Sequence, residues 1–187
     1  KTMIKIIIVI FLLQGCFFYS LSGSLPAHID SISIAPVINE SAEFSVAEIL
    51  NEELNELMIS ENVLDIILPE QADSRLNVII TSIIDRPYTY SLSNDGMEEV
   101  EEWKLVVKAN VLWYDIKRDE VLFEKNMSSW GSYTPGVDIG ADGLDNDGNG
   151  LIDSEDSNET GSPRESALTI SVSKLSHNII NEITNTW

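Results

Sequence analysis

The residues best suited to chemistry form a run of acidic and small side chains from residue 145 to residue 156. Asp145, Asp147 and Asn149 place side-chain oxygens at every second position, and Gly150 follows where a sharp turn is needed. This spacing wraps oxygen ligands around a hard cation, as in twelve-residue calcium loops. The predicted calcium ligands are Asp145, Asp147, Asn149, Leu151 through its carbonyl, Asp153 and Asp156.

The loop lies in an acidic insert, residues 134–163, which holds eight acids and neither Lys nor Arg. Carboxylates crowded in this way repel one another, so we expect bound Ca²⁺ to order the insert. Asp156 is shorter than the usual glutamate, so the loop resembles dockerin-type loops more than sensor EF-hands. A solvated acidic coil is the alternative, because Gly and Asp also favour disorder.

The first residues have the layout of an export signal. Lys1 and Lys5 precede an apolar run over residues 6–13, which is too short to span a bilayer. The run ends at Leu13-Gln14-Gly15-Cys16, which resembles the lipobox of bacterial lipoproteins. That resemblance implies cleavage before Cys16, a lipid on Cys16, and a signal peptide of residues 1–15. An uncleaved anchor or a buried N-terminal strand is the alternative.

Composition disfavours several function classes. The chain has 187 residues, with 31 acids against 11 Lys and Arg and a formal charge of −20, so binding to nucleic acid is not expected. Cys16 is the sole cysteine, which excludes an internal disulfide. The two histidines, His28 and His177, have no motif partners, and neither a nucleophile elbow nor a phosphate-binding glycine loop occurs. We therefore do not expect an enzyme.

Periodicity predicts the elements that would position these residues. Apolar residues at helical spacing predict one helix over 45–60 and another from 162 to the C-terminus. Ser45 with Glu48, and Ser162 with Glu165, are predicted capping boxes. Alternation predicts a half-buried strand over 99–115, with Leu105 and Val107 facing one way and Lys104 and Lys108 the other.

Further strands are predicted over 31–35, 63–68, 76–90 and 120–133. The order is β–α–β–β–β–β or β–α–β–β–β, followed by a second helix. Two helices with one apolar face each most simply cover the same side of a sheet, which predicts a two-layer α+β domain over residues 16–187.

Short motifs through the chain resemble the LptE family of lipopolysaccharide-assembly lipoproteins, except over residues 134–163. The matching segments are Gly15 through Ile29 with its Leu25-Pro26-Ala27-His28 stretch, Ile34-Ala35-Pro36 with Asn39, the capped helix, Ala72-Asp73, and Asp85-Arg86-Pro87.

The resemblance implies two helices on one face of a mostly antiparallel four-stranded sheet. It also implies a lipid anchor at the periplasmic face of the outer membrane, and a partner in an LptD β-barrel that the protein plugs during lipopolysaccharide transport. Such proteins bind lipopolysaccharide without catalysis. The family has no motif of binding residues, so only Cys16 is carried over. Lys104 and Lys108 are our candidate lipid-binding residues, and Lys117, Arg118 and Lys125 are further basic positions.

Two other functions remain open on the sequence. One is a periplasmic envelope or secretion scaffold, a lipoprotein similar to CsgG or to the N-terminal domain of TolB. The other is a calcium-dependent surface module in which the acidic insert is the active part.

Overall fold

The computed structural model describes residues 25–92, 96–136, 150 and 162–185. This part of the chain forms six strands and two helices. The elements are β1 Ser31–Ile34, β2 Ile38–Asn39, α1 Val46–Glu61, β3 Asp65–Ile66, β4 Ser74–Leu92, β5 Glu98–Asp115, β6 Glu120–Tyr133 and α2 Pro163–Asn185.

The strands form one mixed sheet in the order β3-β1-β4-β5-β6, with β2 also paired to β4. The hairpins β4–β5 and β5–β6 are antiparallel, whereas β1 and β2 run parallel to β4 and β3 runs parallel to β1. The class α+β is correct, but the prediction of a mostly antiparallel four-stranded sheet is wrong. Helix α1 carries the chain across the sheet, and such a crossover makes the flanking strands parallel. Strands of two residues, such as β2 and β3, are too short to show alternation.

Strand β5 lies between β4 and β6 and alternates as its sequence predicts. Its inward-facing side chains are almost fully buried, and they are Leu105, Val107, Ala109, Val111 and Trp113. On β4, Leu76, Val78 and Ile80 are buried beside them. A register shift between Ile80 and Ser82 then inserts one residue, so that Ile83 and not Ser82 continues the core-facing row.

Both helices pack on this same side of the sheet. The buried residues of α1 are Val46, Leu50, Leu54 and Met58. Those of α2 include Leu168, Val172, Leu175, Ile179 and Ile183, and both sets belong to one core with the inward residues of the sheet. The apolar faces predicted for the two helices are thus confirmed over the described residues.

One of the two predicted capping boxes forms. The Ser162 backbone N–H donates to Glu165 Oε2 at 3.0 Å, and the Glu165 N–H donates to Ser162 Oγ at 3.4 Å. The bond from the Ser162 N–H, together with one from the Ser162 hydroxyl to Glu165 Oε2 at 2.9 Å, lowers the pKa of the Glu165 carboxyl. The prediction for Ser45 is wrong, because its backbone is already helical (φ −79°, ψ −17°) and its side chain makes no capping bond. A capping side chain needs extended backbone to reach back to the first turn.

A buried carboxylate fixes the start of the described chain to the far end of β5. His28 Nε2 lies 2.5 Å from Asp115 Oδ2, and the Asp115 side chain is fully buried. Burial by itself would raise the pKa of Asp115, but the hydrogen bonds from His28 and the Arg118 N–H hold it below its usual range. His28 therefore has a structural role here.

A second carboxylate, Asp73, ties the segment before β1 to β4. Its Oδ2 accepts the backbone N–H groups of Asp30 at 2.9 Å and Ser31 at 3.1 Å, and its Oδ1 lies 2.5 Å from Lys117 Nζ. The bond from Lys117, followed by the backbone bond from Asp30, lowers the pKa of Asp73 to about 2. The ionised form is therefore the one that the folded protein holds.

This gives a prediction for acid stability. The pKa of Asp73 is about 2 when folded and 3.8 as the reference value. Its stabilising effect is therefore full above about pH 4 and is lost as the pH falls towards 2. Asp73→Asn should lower the free energy of unfolding at pH 7 and flatten its slope between pH 4 and 2 in urea denaturation. Lys117→Met should flatten that slope partly. An unchanged slope in Asp73→Asn would contradict the assignment.

Candidate functional site

The second face of the sheet, which points away from both helices, is the surface that collects unpaired basic groups. Residues directly opposite in antiparallel pairs share a face, and alternate residues of one strand do so as well. We call this surface the open face. Its residues are Arg75, Asn77, Ile79, Ser82, Ile84 and Arg86 of β4, Glu102, Lys104, Val106, Lys108, Asn110, Leu112 and Tyr114 of β5, and Glu124, Asn126, Ser128, Trp130 and Ser132 of β6.

The charge of the open face is opposite to that of the chain. Its charged residues are four bases, Arg75, Arg86, Lys104 and Lys108, and two acids, Glu102 and Glu124. Within the described ranges, none of the four bases forms an ion pair with a carboxylate. In a chain with 31 acids, a face that keeps four cationic groups unpaired is suited to an anionic ligand.

Basic residues elsewhere in the described chain mostly have carboxylate partners. Lys117 pairs with Asp73, Arg118 with Glu120, Lys125 with Glu182, and Arg164 with Glu43 and Asp85. Lys117, Arg118 and Lys125 therefore form ion pairs outside the open face. Of the basic positions selected from the sequence, only Lys104 and Lys108 lie on the open face.

Arg86 and Lys104 lie directly opposite each other on β4 and β5. Like charges in such a cross-strand pair destabilise a sheet, since their side chains are close neighbours. An anion between the guanidinium and the ammonium would remove this repulsion. The Arg86–Lys104 pair is therefore a candidate point for an anion to bind on the open face.

Two aromatic rings flank Lys104. Its Nζ lies 3.8 Å from the centroid of the Trp130 ring and 5.5 Å from that of Tyr88, and the two rings are 5.4 Å apart with planes tilted by 52°. Trp130 keeps 39% of its surface exposed. Rings at this distance hold an ammonium in place by cation–π attraction, which contributes about 0.5–1 kcal/mol at exposed sites.

An apolar row crosses the open face between two basic rows. Ile84, Val106 and Trp130 are aligned by strand pairing, with Arg86 and Lys104 in the row on one side and Lys108 in the row on the other. Rows two residues apart are separated by about 7 Å. A phosphate on the basic rows would thus leave an acyl chain beside the apolar row, which is the arrangement that an anionic amphiphile needs.

The remaining predicted site residues lie outside the described residues. These are Cys16, the predicted lipid carrier, and the predicted calcium ligands Asp145, Asp147, Asn149, Leu151, Asp153 and Asp156. Both predictions stand as they were made from the sequence. Within the described ranges, the acids, histidines and cysteines do not gather in groups of three or more that could hold a metal ion.

Sequence reasoning missed Arg75 and Arg86 as members of the basic surface. The extra residue at Thr81 reverses the alternation of β4, so that Arg75 and Arg86 share a face although one number is odd and the other even. The sequence around Thr81 carries no glycine or other signal for this bulge. The other histidine, His177, is exposed on α2 and contacts the Ser173 carbonyl. Neither described helix is long and apolar enough to cross a membrane.

No family model matches the sequence, and the comparison with curated proteins also finds no match. Solved structures do share the fold. The hypothetical protein CT253 from Chlamydia trachomatis superposes with a TM-score of 0.52 at 12% identity, over 83% of this chain and 98% of that one. At this identity the similarity shows the fold alone.

Bacterial lipoproteins are among the more distant structural neighbours. An uncharacterised lipoprotein B from Nitrosomonas europaea has a TM-score of 0.44 at 17% identity, covering 87% of this chain and 86% of its own. A further structural neighbour, the PelC dodecamer from Paraburkholderia phytofirmans, has a TM-score of 0.47 at 13% identity, covering 88% of this chain and 95% of its own. Similarity at this level is too weak to support an assignment. None of these neighbours is described as LptE, so that resemblance remains a prediction.

The Arg86–Lys104 pair gives a prediction for the protein without ligand. Arg86→Gln removes the cross-strand repulsion, so it should raise the free energy of unfolding by about 0.2–1 kcal/mol at low salt. The gain should shrink at high salt, because salt screens exposed charges. Urea denaturation at two salt concentrations measures both effects. Arg75→Gln is the matched control, since Arg75 lies opposite Tyr114 and should show no gain. Equal effects in the two variants would contradict the repulsion.

Proposed function

We propose that this protein is a lipid-anchored lipoprotein of the bacterial cell envelope that binds lipopolysaccharide on the open face and partners an LptD-like β-barrel. In this proposal Cys16 carries the anchor at the periplasmic side of the outer membrane. The protein performs no catalysis, and its role is to hold an anionic lipid and to plug the barrel during lipopolysaccharide transport.

The observation that supports lipid binding most strongly is a set of four bases on one sheet face of an acidic chain, none of which has a carboxylate partner among the described residues. Lipopolysaccharide carries phosphates beside acyl chains. Phosphate oxygens accept charge-assisted hydrogen bonds from Arg and Lys. On the open face, Arg86 and Lys104 offer such donors next to Trp130 and the apolar row.

Partnership with a barrel rests on the sequence resemblance to LptE and on the α+β architecture. Bacterial lipoproteins among the distant structural neighbours are consistent with a lipid-anchored protein but do not identify its partner.

Charge reversal tests the lipid site. Lys104→Glu combined with Lys108→Glu should weaken binding to purified lipopolysaccharide by tenfold or more, since each lost contact to a phosphate is worth about 1.5–3 kcal/mol. Isothermal titration calorimetry measures this effect. Lys125→Glu with Arg118→Glu makes the same change in net charge away from the open face, and it should leave the affinity within about twofold. Equal losses of affinity in the two double variants would mean that net charge alone determines lipid binding, and this would contradict the site.

Co-purification tests the partner. The full protein, anchored through Cys16, is isolated from detergent-solubilised outer membrane, and the bound proteins are identified by mass spectrometry. We expect a stoichiometric large β-barrel. Recovery with a ring or polymer, or from the inner membrane, would contradict the barrel partnership and favour the scaffold function.

A further inference from the structure

The β4–β5 hairpin extends past the rest of the sheet. Pairing of β6 with β5 ends at Trp103, opposite Tyr133, and β2 pairs with β4 only as far as Ile80. Beyond these points, in the part of the chain that the structure describes, the two strands pair only with each other. We call residues 89–92 and 96–102 the hairpin arm.

Large apolar side chains lie exposed at the end of the hairpin arm. Leu92 is 75% exposed, Met97 is 65% exposed, and Tyr90 is 59% exposed. Single exposed apolar residues are common, but these three fall within eight positions of the chain. A ribbon of two strands is also only marginally stable in water. The hairpin arm would therefore gain stability from a surface that covers these side chains.

The same segment carries a concentrated negative charge. Glu98, Glu99, Glu101 and Glu102 fall within five residues, and no Lys or Arg occurs from residue 87 to residue 103. The residues opposite Glu98 and Glu99 are Leu92 and Ser91, so the strand pairing provides no basic partner. The negative charge of the hairpin arm therefore remains available to a binding partner.

We propose that the hairpin arm docks on an apolar stripe flanked by Lys and Arg on the surface of a partner protein. Tyr90, Leu92 and Met97 cover the apolar stripe, and the glutamates meet the basic residues that flank it. An anionic membrane would repel the glutamates, and a second copy of this chain, with its charge of −20, would do the same. The proposal concerns a different surface from the open face and does not rest on lipid binding.

The test uses a synthetic helical peptide of leucine and lysine, with the lysines flanking an apolar stripe, titrated into the full protein by fluorescence anisotropy. We expect Leu92→Ser with Met97→Ser to weaken binding about tenfold or more, as loss of central apolar contacts does. Glu98→Gln with Glu99→Gln should weaken binding and reduce its dependence on salt. All these side chains are exposed, so thermal melts should show folded variants.

Matched variants away from the hairpin arm serve as controls. Phe44→Ser with Ile59→Ser removes equally exposed apolar groups, and Glu52→Gln with Glu56→Gln removes equally exposed acids from α1. Both should bind the peptide as the wild type does. The proposal is overturned if the wild type does not bind the peptide, if these controls lose as much affinity, or if oligolysine of equal charge binds as tightly. It is also overturned if phosphatidylcholine vesicles bind the arm in preference to the peptide, or if sedimentation shows a dimer that Leu92→Ser dissolves.

Discussion

Two helices with one apolar stripe each cover only one face of this sheet, and the rest of the architecture depends on that constraint. The residues of α1 and α2 that point inward share a single core with the inward residues of β4 and β5. Burying this side supplies the hydrophobic stabilisation that folding requires. In the described chain, the core does not need the second face of the long antiparallel ribbon of β4, β5 and β6. The residues of that face are therefore available for binding.

The charge distribution shows what those residues are suited to. An acidic chain can neutralise its few bases in ion pairs, and Lys117, Lys125 and Arg164 follow this pattern. In the part of the chain that the structure describes, Arg86 and Lys104 have no carboxylate partner, and they lie opposite each other, where their repulsion costs stability. An anion between the two side chains would remove this repulsion, and Trp130 holds Lys104 in place beside it.

The sequence predicts the long elements well, because their periodicity extends over many residues. Strand β5 and both helices have bounds close to those expected, and the placement of Lys104 and Lys108 on the outward face of β5 follows from alternation alone. Local signals were less reliable. Ser45 has the right neighbours for a capping box, but its backbone dihedrals direct the side chain elsewhere.

Features that depend on distant parts of the chain could not be predicted. The parallel pairing of β1, β2 and β3 is set by the crossover of α1, and two of these strands are only two residues long. The bulge at Thr81, which brings Arg75 and Arg86 onto one face, follows from the pairing of β4 with β5 and from no residue type. The contact between His28 and Asp115 joins residues 87 positions apart.

The most direct test of a lipid-binding open face is to map where a bound lipid lies. Full-length protein would be irradiated with a photoreactive lipopolysaccharide analogue, and the labelled residues would be identified by mass spectrometry. The account predicts labels on the outward residues of β4, β5 and β6, concentrated around Arg86, Lys104 and Trp130. Labels concentrated on the outer surfaces of α1 and α2, or spread evenly over the protein, would contradict it.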